Sequence, residues 1–129
     1  MESFSISSIL PATPQEIYQA WLSSEGHSQM TGSPAEVKAE IGGAFKAWDG
    51  YIWGMTLEME APRRIVQAWR TSEFPADSPD SRVEITLEES EDGTKVTLVH
   101  TNIPDGQGEG YKGGWEEFYF TPMHAFFSK

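Results

Sequence analysis

Tyr51-Ile52-Trp53-Gly54-Met55-Thr56-Leu57-Glu58-Met59 carries a large apolar side chain at every odd position, while the even positions from Gly54 onward hold Gly, Thr or Glu. Successive side chains of a strand point to opposite faces, so this spacing predicts a β-strand with one apolar face and one wet face. Taking the apolar face as the inward one places Tyr51, Trp53, Met55, Leu57 and Met59 against the core. Such a strand needs antiparallel neighbours, and the flanking sequence supplies them. Asp49-Gly50 fits a tight hairpin turn back to a weakly alternating stretch between Ala35 and Ala47. After the turn Ala61-Pro62-Arg63-Arg64, residues 65–70 return as a β-rich strand carrying Trp69. A further hairpin runs from Arg82 to Glu88, with Val83, Ile85 and Leu87 inward, through Glu91-Asp92-Gly93 and back from Lys95 to Thr101.

The ends of the chain complete the pattern. Phe4, Ile6 and Leu10 share one parity and predict a first strand that Pro11 ends. Thr13 as N-cap, Pro14 at the first helical position and Glu16 three residues on open a helix to about Leu22. A second short helix spans Ser24 to about Met30. Near the C-terminus Gly106, Gly108 and Gly110 read as a flexible approach and a gate, not as a dinucleotide fingerprint, because no βαβ unit surrounds them. From Gly114 to about Phe127, aromatics at three- and four-residue spacings predict a helix that Pro122 would kink. Six or seven antiparallel strands with one apolar face need a cover, and this terminal helix is the element long enough to provide it. The fold class is therefore α+β: a curved antiparallel sheet wrapped around a long C-terminal helix, with two short helices after the first strand, in one domain over residues 1–129. A sheet curved around a helix leaves space between them, the usual address of an apolar ligand site.

Composition narrows the function classes. Twenty acidic against nine basic residues leave a formal charge of −11, which argues against nucleic acid and anionic membrane partners. The absence of Cys removes disulfides, thiolate metal sites and Cys nucleophiles. No stretch approaches the ~18 apolar residues of a membrane span, and the N-terminus lacks a signal pattern, so a cytoplasmic location is expected. Neither a metal-ligand spacing nor a cofactor motif occurs, since His27, His100 and His124 stand far apart. Between Glu73 and Asp92 eight acidic residues face the single base Arg82, so this edge would attract a basic protein surface.

Several segments in fixed order resemble a known family: Gly42-Gly43-Ala44-Phe45, Trp48-Asp49-Gly50-Tyr51-Ile52-Trp53-Gly54, Glu58 with Pro62, Ile65-Val66-Gln67-Ala68-Trp69-Arg70, and Gly113-Gly114-Trp115. They look like the family named for the activator of the ninety-kilodalton heat-shock chaperone ATPase, in its small single-domain form. The resemblance covers essentially the whole chain. It implies a START-like (SRPBCC) helix-grip fold of the birch-pollen-allergen type, a hydrophobic cavity, and kinship with a stress-related co-chaperone.

The candidate ligand-binding residues are Tyr51, Trp53, Met55, Leu57, Trp69, Val83, Ile85, Leu98, His100, Trp115 and Tyr119. His100 shares the inward parity of Val96 and Leu98, and with Tyr51 it forms the only acid–base pair worth weighing for catalysis. A buried, hydrogen-bonded structural histidine is the competing reading. The expected function is a non-enzymatic module for a small apolar or aromatic ligand, acting as monomer or homodimer. The alternatives are a cyclase- or dehydratase-like enzyme on an apolar substrate, and a co-chaperone that binds a heat-shock chaperone.

Overall fold

Local signals start the first elements. Thr13 Oγ1 accepts from the Glu16 amide at 3.1 Å while Glu16 Oε1 accepts from the Thr13 amide at 3.0 Å. This reciprocal box opens α1 (Pro14–Trp21), which buries Ile17, Tyr18 and Trp21. Helix α2 (Ser24–Thr31) follows and stops at Gly32, whose φ of 81° suits a residue without Cβ. The structure is a computed structural model and describes residues 1–128.

Around these helices runs a seven-stranded antiparallel sheet in the order β1-β7-β6-β5-β4-β3-β2. The strands are β1 (Glu2–Leu10), β2 (Glu36–Val37), β3 (Ala44–Ala47), β4 (Ile52–Glu60), β5 (Arg64–Thr71), β6 (Ser81–Ser90) and β7 (Gly93–Ile103). The first strand joins the last at one edge and β2 forms the other edge, so α1 and α2 carry the chain across the sheet. Three helical segments then run on without a break: α3 (Gly108–Trp115), a π turn (Glu116–Phe120) and α4 (Thr121–Phe127). They pack in the concave face, where Trp115, Tyr119 and Met123 meet Trp69, Ile85 and Leu98 of the sheet and Trp21 and Met30 of the short helices. The expected helix-grip architecture is the one observed.

Two local expectations are corrected. The terminal helix begins at Gly108, six residues before Gly114, so the glycines read as a flexible gate include its first turn. The cause lies at the other end of the chain. The Glu2 carboxylate accepts from the Gly106 amide at 2.9 Å, just ahead of the helix, and from the Gly108 amide at 2.8 Å, one of the donors that a helix N-terminus leaves open. These amides hold the Glu2 carboxyl below its ordinary range. Near Pro122 the helix accommodates the ring by widening upstream: the Thr121 amide bonds to the Glu116 carbonyl, a five-residue step. Pro122 has no amide hydrogen to donate and its ring would crowd a regular α-turn.

The second correction concerns β4. Ile52 and Thr56 are buried, whereas Trp53, Met55 and Leu57 are 37%, 45% and 41% exposed on the outer face. The apolar parity is thus the outward one. Gly54 explains the choice: it pairs with Trp69, so both point inward, and a Cβ on Gly54 would lie 2.9 Å from the Phe45 ring and 1.9 Å from the Ala68 carbonyl oxygen. Large inward side chains on β3 and β5 require a strand between them with little of its own inside. A bulge at Leu57, where the pairing steps from Thr56–Gln67 to Glu58–Val66, then reverses parity and turns Met59 towards the core.

Candidate functional site

A cleft of about 360 Å³, open to solvent, lies between the terminal helix and the β3–β4 turn. Its walls are Trp48, Tyr51, Ile52, Trp69, Gly110, Tyr111, Gly114, Trp115, Phe118 and Tyr119, and its exposed surface is almost wholly apolar. Trp48, Asp49 and Gly50 all take positive φ, at 54°, 58° and 88°. For a bulky residue such as Trp48 that conformation is strained, and it is sustained here by packing. The Trp48 indole meets Phe118 edge-on at 5.5 Å and Tyr119 at 6.3 Å. On the helix side, Gly110 and Gly114 stand one turn apart. A Cβ on Gly110 would meet nothing within 4 Å, and one on Gly114 only the Phe118 ring at 3.9 Å. These two glycines leave volume empty.

Behind the aromatic walls the polar atoms are engaged with one another. His100 Nδ1 accepts from Trp115 Nε1 at 3.1 Å, which places the ring proton on Nε2. Nε2 then donates to Ser81 Oγ at 2.8 Å, and Ser81 donates on to the Trp69 carbonyl at 2.8 Å. Burial pushes the His100 pKa down to about 3, so the ring is neutral. A second chain serves Tyr119. His27 Nδ1 donates to the Trp21 carbonyl at 2.9 Å, and Nε2 accepts from the Tyr119 hydroxyl at 2.8 Å. Burial lowers the His27 pKa and raises that of Tyr119. Both imidazoles orient aromatic walls, and neither offers a free lone pair or a proton to a guest.

Polar groups that do reach the surface gather at one rim. Tyr111 Oη bonds to Thr71 Oγ1 at 2.7 Å and donates to Gln107 Oε1 at 2.6 Å. The Tyr51 hydroxyl donates to Glu73 Oε2. Desolvation, followed by this bond, pushes the Tyr51 pKa up to about 12. Among the described residues no three His, Asp or Glu side chains converge as metal ligands would.

The residues singled out from sequence therefore separate into three groups. Tyr51, Trp69, Trp115 and Tyr119 line the cleft. Val83, Ile85, Leu98 and His100 lie on the concave sheet face but are at most 1% exposed and form its packed floor. His100 is thereby removed from the acid–base pair with Tyr51. Trp53, Met55 and Leu57 lie on the opposite face of the sheet. Sequence reasoning missed Trp48, Ile52, Tyr111, Phe118 and the two helix glycines as walls. The spacing Gly110, Gly114, Phe118 marks one helix face and was the available signal for three of them.

The acidic edge is partly neutralised. Arg64 bonds to Glu58 at 2.5 Å, Glu60 at 2.7 Å and Glu84 at 2.5 Å, and Arg70 bonds to Asp80 at 2.8 Å. The Arg64 guanidinium holds the Glu84 carboxyl below its ordinary range. No helix among the described residues is long and apolar enough to cross a membrane.

Comparison with known proteins places this geometry. The family model described as Activator of Hsp90 ATPase homolog 1-like protein matches residues 11–128. The human Activator of 90 kDa heat shock protein ATPase homolog 1 is 26% identical over 115 residues, which are 89% of this chain and 34% of that protein. The Dictyostelium discoideum Activator of 90 kDa heat shock protein ATPase homolog is 30% identical over 107 residues, 81% of this chain and 27% of that one. The chain thus spans about a third or less of these relatives' length. A crystal structure of an HSP90 activator from Plasmodium falciparum superposes with a TM-score of 0.88 at 26% identity, covering 99% of this chain and 97% of the other. With the family model matching nearly its whole length, the chain belongs to the family of Activator of Hsp90 ATPase homolog 1-like proteins.

Proposed function

We propose that the protein is a non-enzymatic binding module that holds a small apolar or aromatic molecule in the cleft beneath Trp48 and Phe118. The observation that carries this reading is the pair Gly110 and Gly114, which keep a helix face bare opposite the indoles of Trp48 and Trp69 and leave about 360 Å³ unfilled. A helix interior pays about 1 kcal/mol for each Gly in place of Ala, so two such positions facing one empty space favour space over stability. Support for binding without turnover comes from His100, which is neutral and fully engaged away from the cleft. Native mass spectrometry of freshly purified protein, followed by a fluorescence titration with 2-naphthylmethanol and mass analysis after long incubation, tests the reading. Saturable binding with the probe recovered intact is expected. Chemical conversion of the probe would favour the enzyme reading, and no binding by any apolar probe would mean that the aromatics are packing alone.

A second reading draws on the outer sheet face and on the relatives' names. Trp53, Met55 and Leu57 form an exposed apolar row, with Ile41 also exposed, as a protein-docking surface would need. In this reading the row contacts a 90-kDa heat-shock chaperone in the cytoplasm, and the cleft serves regulation or stability. Trp53→Ser/Met55→Ser should then weaken stimulation of the purified chaperone's ATPase while leaving the cleft's probe affinity intact. Sedimentation of the parent and this variant shows at the same time whether the row joins two copies of the chain.

A further inference from the structure

The apolar cleft continues into a second cavity of about 360 Å³ lined by Tyr51, Glu73, Gly106, Gln107, Gly110 and Tyr111. Tyr51, Gly110 and Tyr111 belong to both, so a single molecule can span them. Among the described residues of the whole lining, Glu73 is the one ionisable carboxylate, and no Lys or Arg contributes. The Glu73 segment is held in place: its amide donates to Thr71 Oγ1 at 3.1 Å, and its carbonyl accepts from Gln107 Nε2 at 3.0 Å. The Tyr51 hydroxyl engages Oε2, and no protein group among the described residues engages Oε1. The nearest arginine in sequence, Arg70, is committed to Asp80, to the Ser78 and Pro75 carbonyls and to the face of Phe74 at 5.3 Å.

We propose that the joined cavities take an organic ammonium, an aromatic body with a positive charge at one end. This rests on the ligand-binding reading above. The body lies between Trp48, Trp69 and Phe118 in the apolar part, and the cation meets Glu73 and the tyrosine faces in the polar part. Aromatic faces attract cations through their negative quadrupole, a carboxylate adds a direct partner, and a chain of formal charge −11 draws cations towards it. An anionic ligand would meet Glu73 with no compensating base.

Three probes of one shape test the charge: 2-naphthylmethylammonium, 2-naphthylmethanol and 2-naphthoate, titrated against the full chain by Trp fluorescence at low salt. The ammonium should bind at least ~10-fold tighter than the alcohol, and the naphthoate weakest. In Glu73→Gln, which keeps an acceptor for Tyr51, the ratio of ammonium to alcohol affinity should fall several-fold, with only the smaller preference supplied by the tyrosine faces left. An alcohol that binds as well as the ammonium, or a preference undiminished in Glu73→Gln, overturns the inference while leaving the ligand-binding reading standing. Failure of all three probes to bind the parent protein overturns both.

Discussion

His100→Gln should flatten the acid limb of the stability curve. In the fold, His100 is neutral, with Nδ1 accepting from Trp115, Nε2 donating to Ser81, and burial holding its pKa down to about 3. In the unfolded chain an imidazole titrates near ~6.5. Because the folded value is the lower one, the unfolded chain binds more protons in between, and stability falls as pH drops from ~6.5 towards that folded value. The loss is ~1.4 kcal/mol per pH unit, which makes ~2 kcal/mol by pH ~5. His27, also held neutral by burial, adds a loss of the same sign in both proteins. Gln keeps an acceptor for Trp115 and a donor for Ser81 but does not titrate. Urea unfolding at pH ~7.5 and pH ~5 should therefore show the variant losing ~2 kcal/mol less than the parent across that span. Carboxylate protonation is common to both and cancels in the difference. Equal losses in the two proteins would refute the assignment of His100 as a buried neutral group.

Three further outcomes follow from the geometry. Gly113→Ala, on the exposed helix face, and Gly114→Ala, facing the cleft, should each raise stability by about 1 kcal/mol in thermal or urea melts, whereas Gly114→Leu should keep the fold and abolish binding of 2-naphthylmethanol. Trp53→Ser should cost about 1 kcal/mol or less and Ile52→Ala about 2–4 kcal/mol, and the reverse order would return β4 to the facing read from its alternation. Phe118→Ala, at a ring 49% exposed, should weaken probe affinity several-fold with little change in melting temperature.

The order of elements was legible because it rests on local signals: the Thr13–Glu16 box, the parity of β6 and β7, and the helical spacing of the last aromatics. The facing of β4 was not, because it depends on what lies across the ladder. Gly54 faces the core so that Trp69 and Phe45 fit beside it, and no count of apolar residues within Tyr51–Met59 contains that information. The early start of the terminal helix was hidden for a similar reason, since its cap is Glu2, more than a hundred residues away. Tyr51, Trp69, Trp115 and Tyr119 could be picked out as aromatics on the right elements. Trp48 could not, because its place in the cleft comes from a left-handed backbone turn, and a turn pair at Asp49-Gly50 gave no reason to extend that conformation back to a tryptophan. The cleft itself is a gap between surfaces, and the glycines that keep it open read in sequence as flexibility.

Amide and indole NMR shifts on titration with 2-naphthylmethanol test the central claim most directly, because every residue reports its own position. Shifts should concentrate at the Gly110 and Gly114 amides and at the indole N–H groups of Trp48, Trp69 and Trp115, with Trp53 silent. Shifts centred on Trp53, Met55 and Leu57, with the two glycines unmoved, would place apolar binding on the outer face of the sheet and contradict the account.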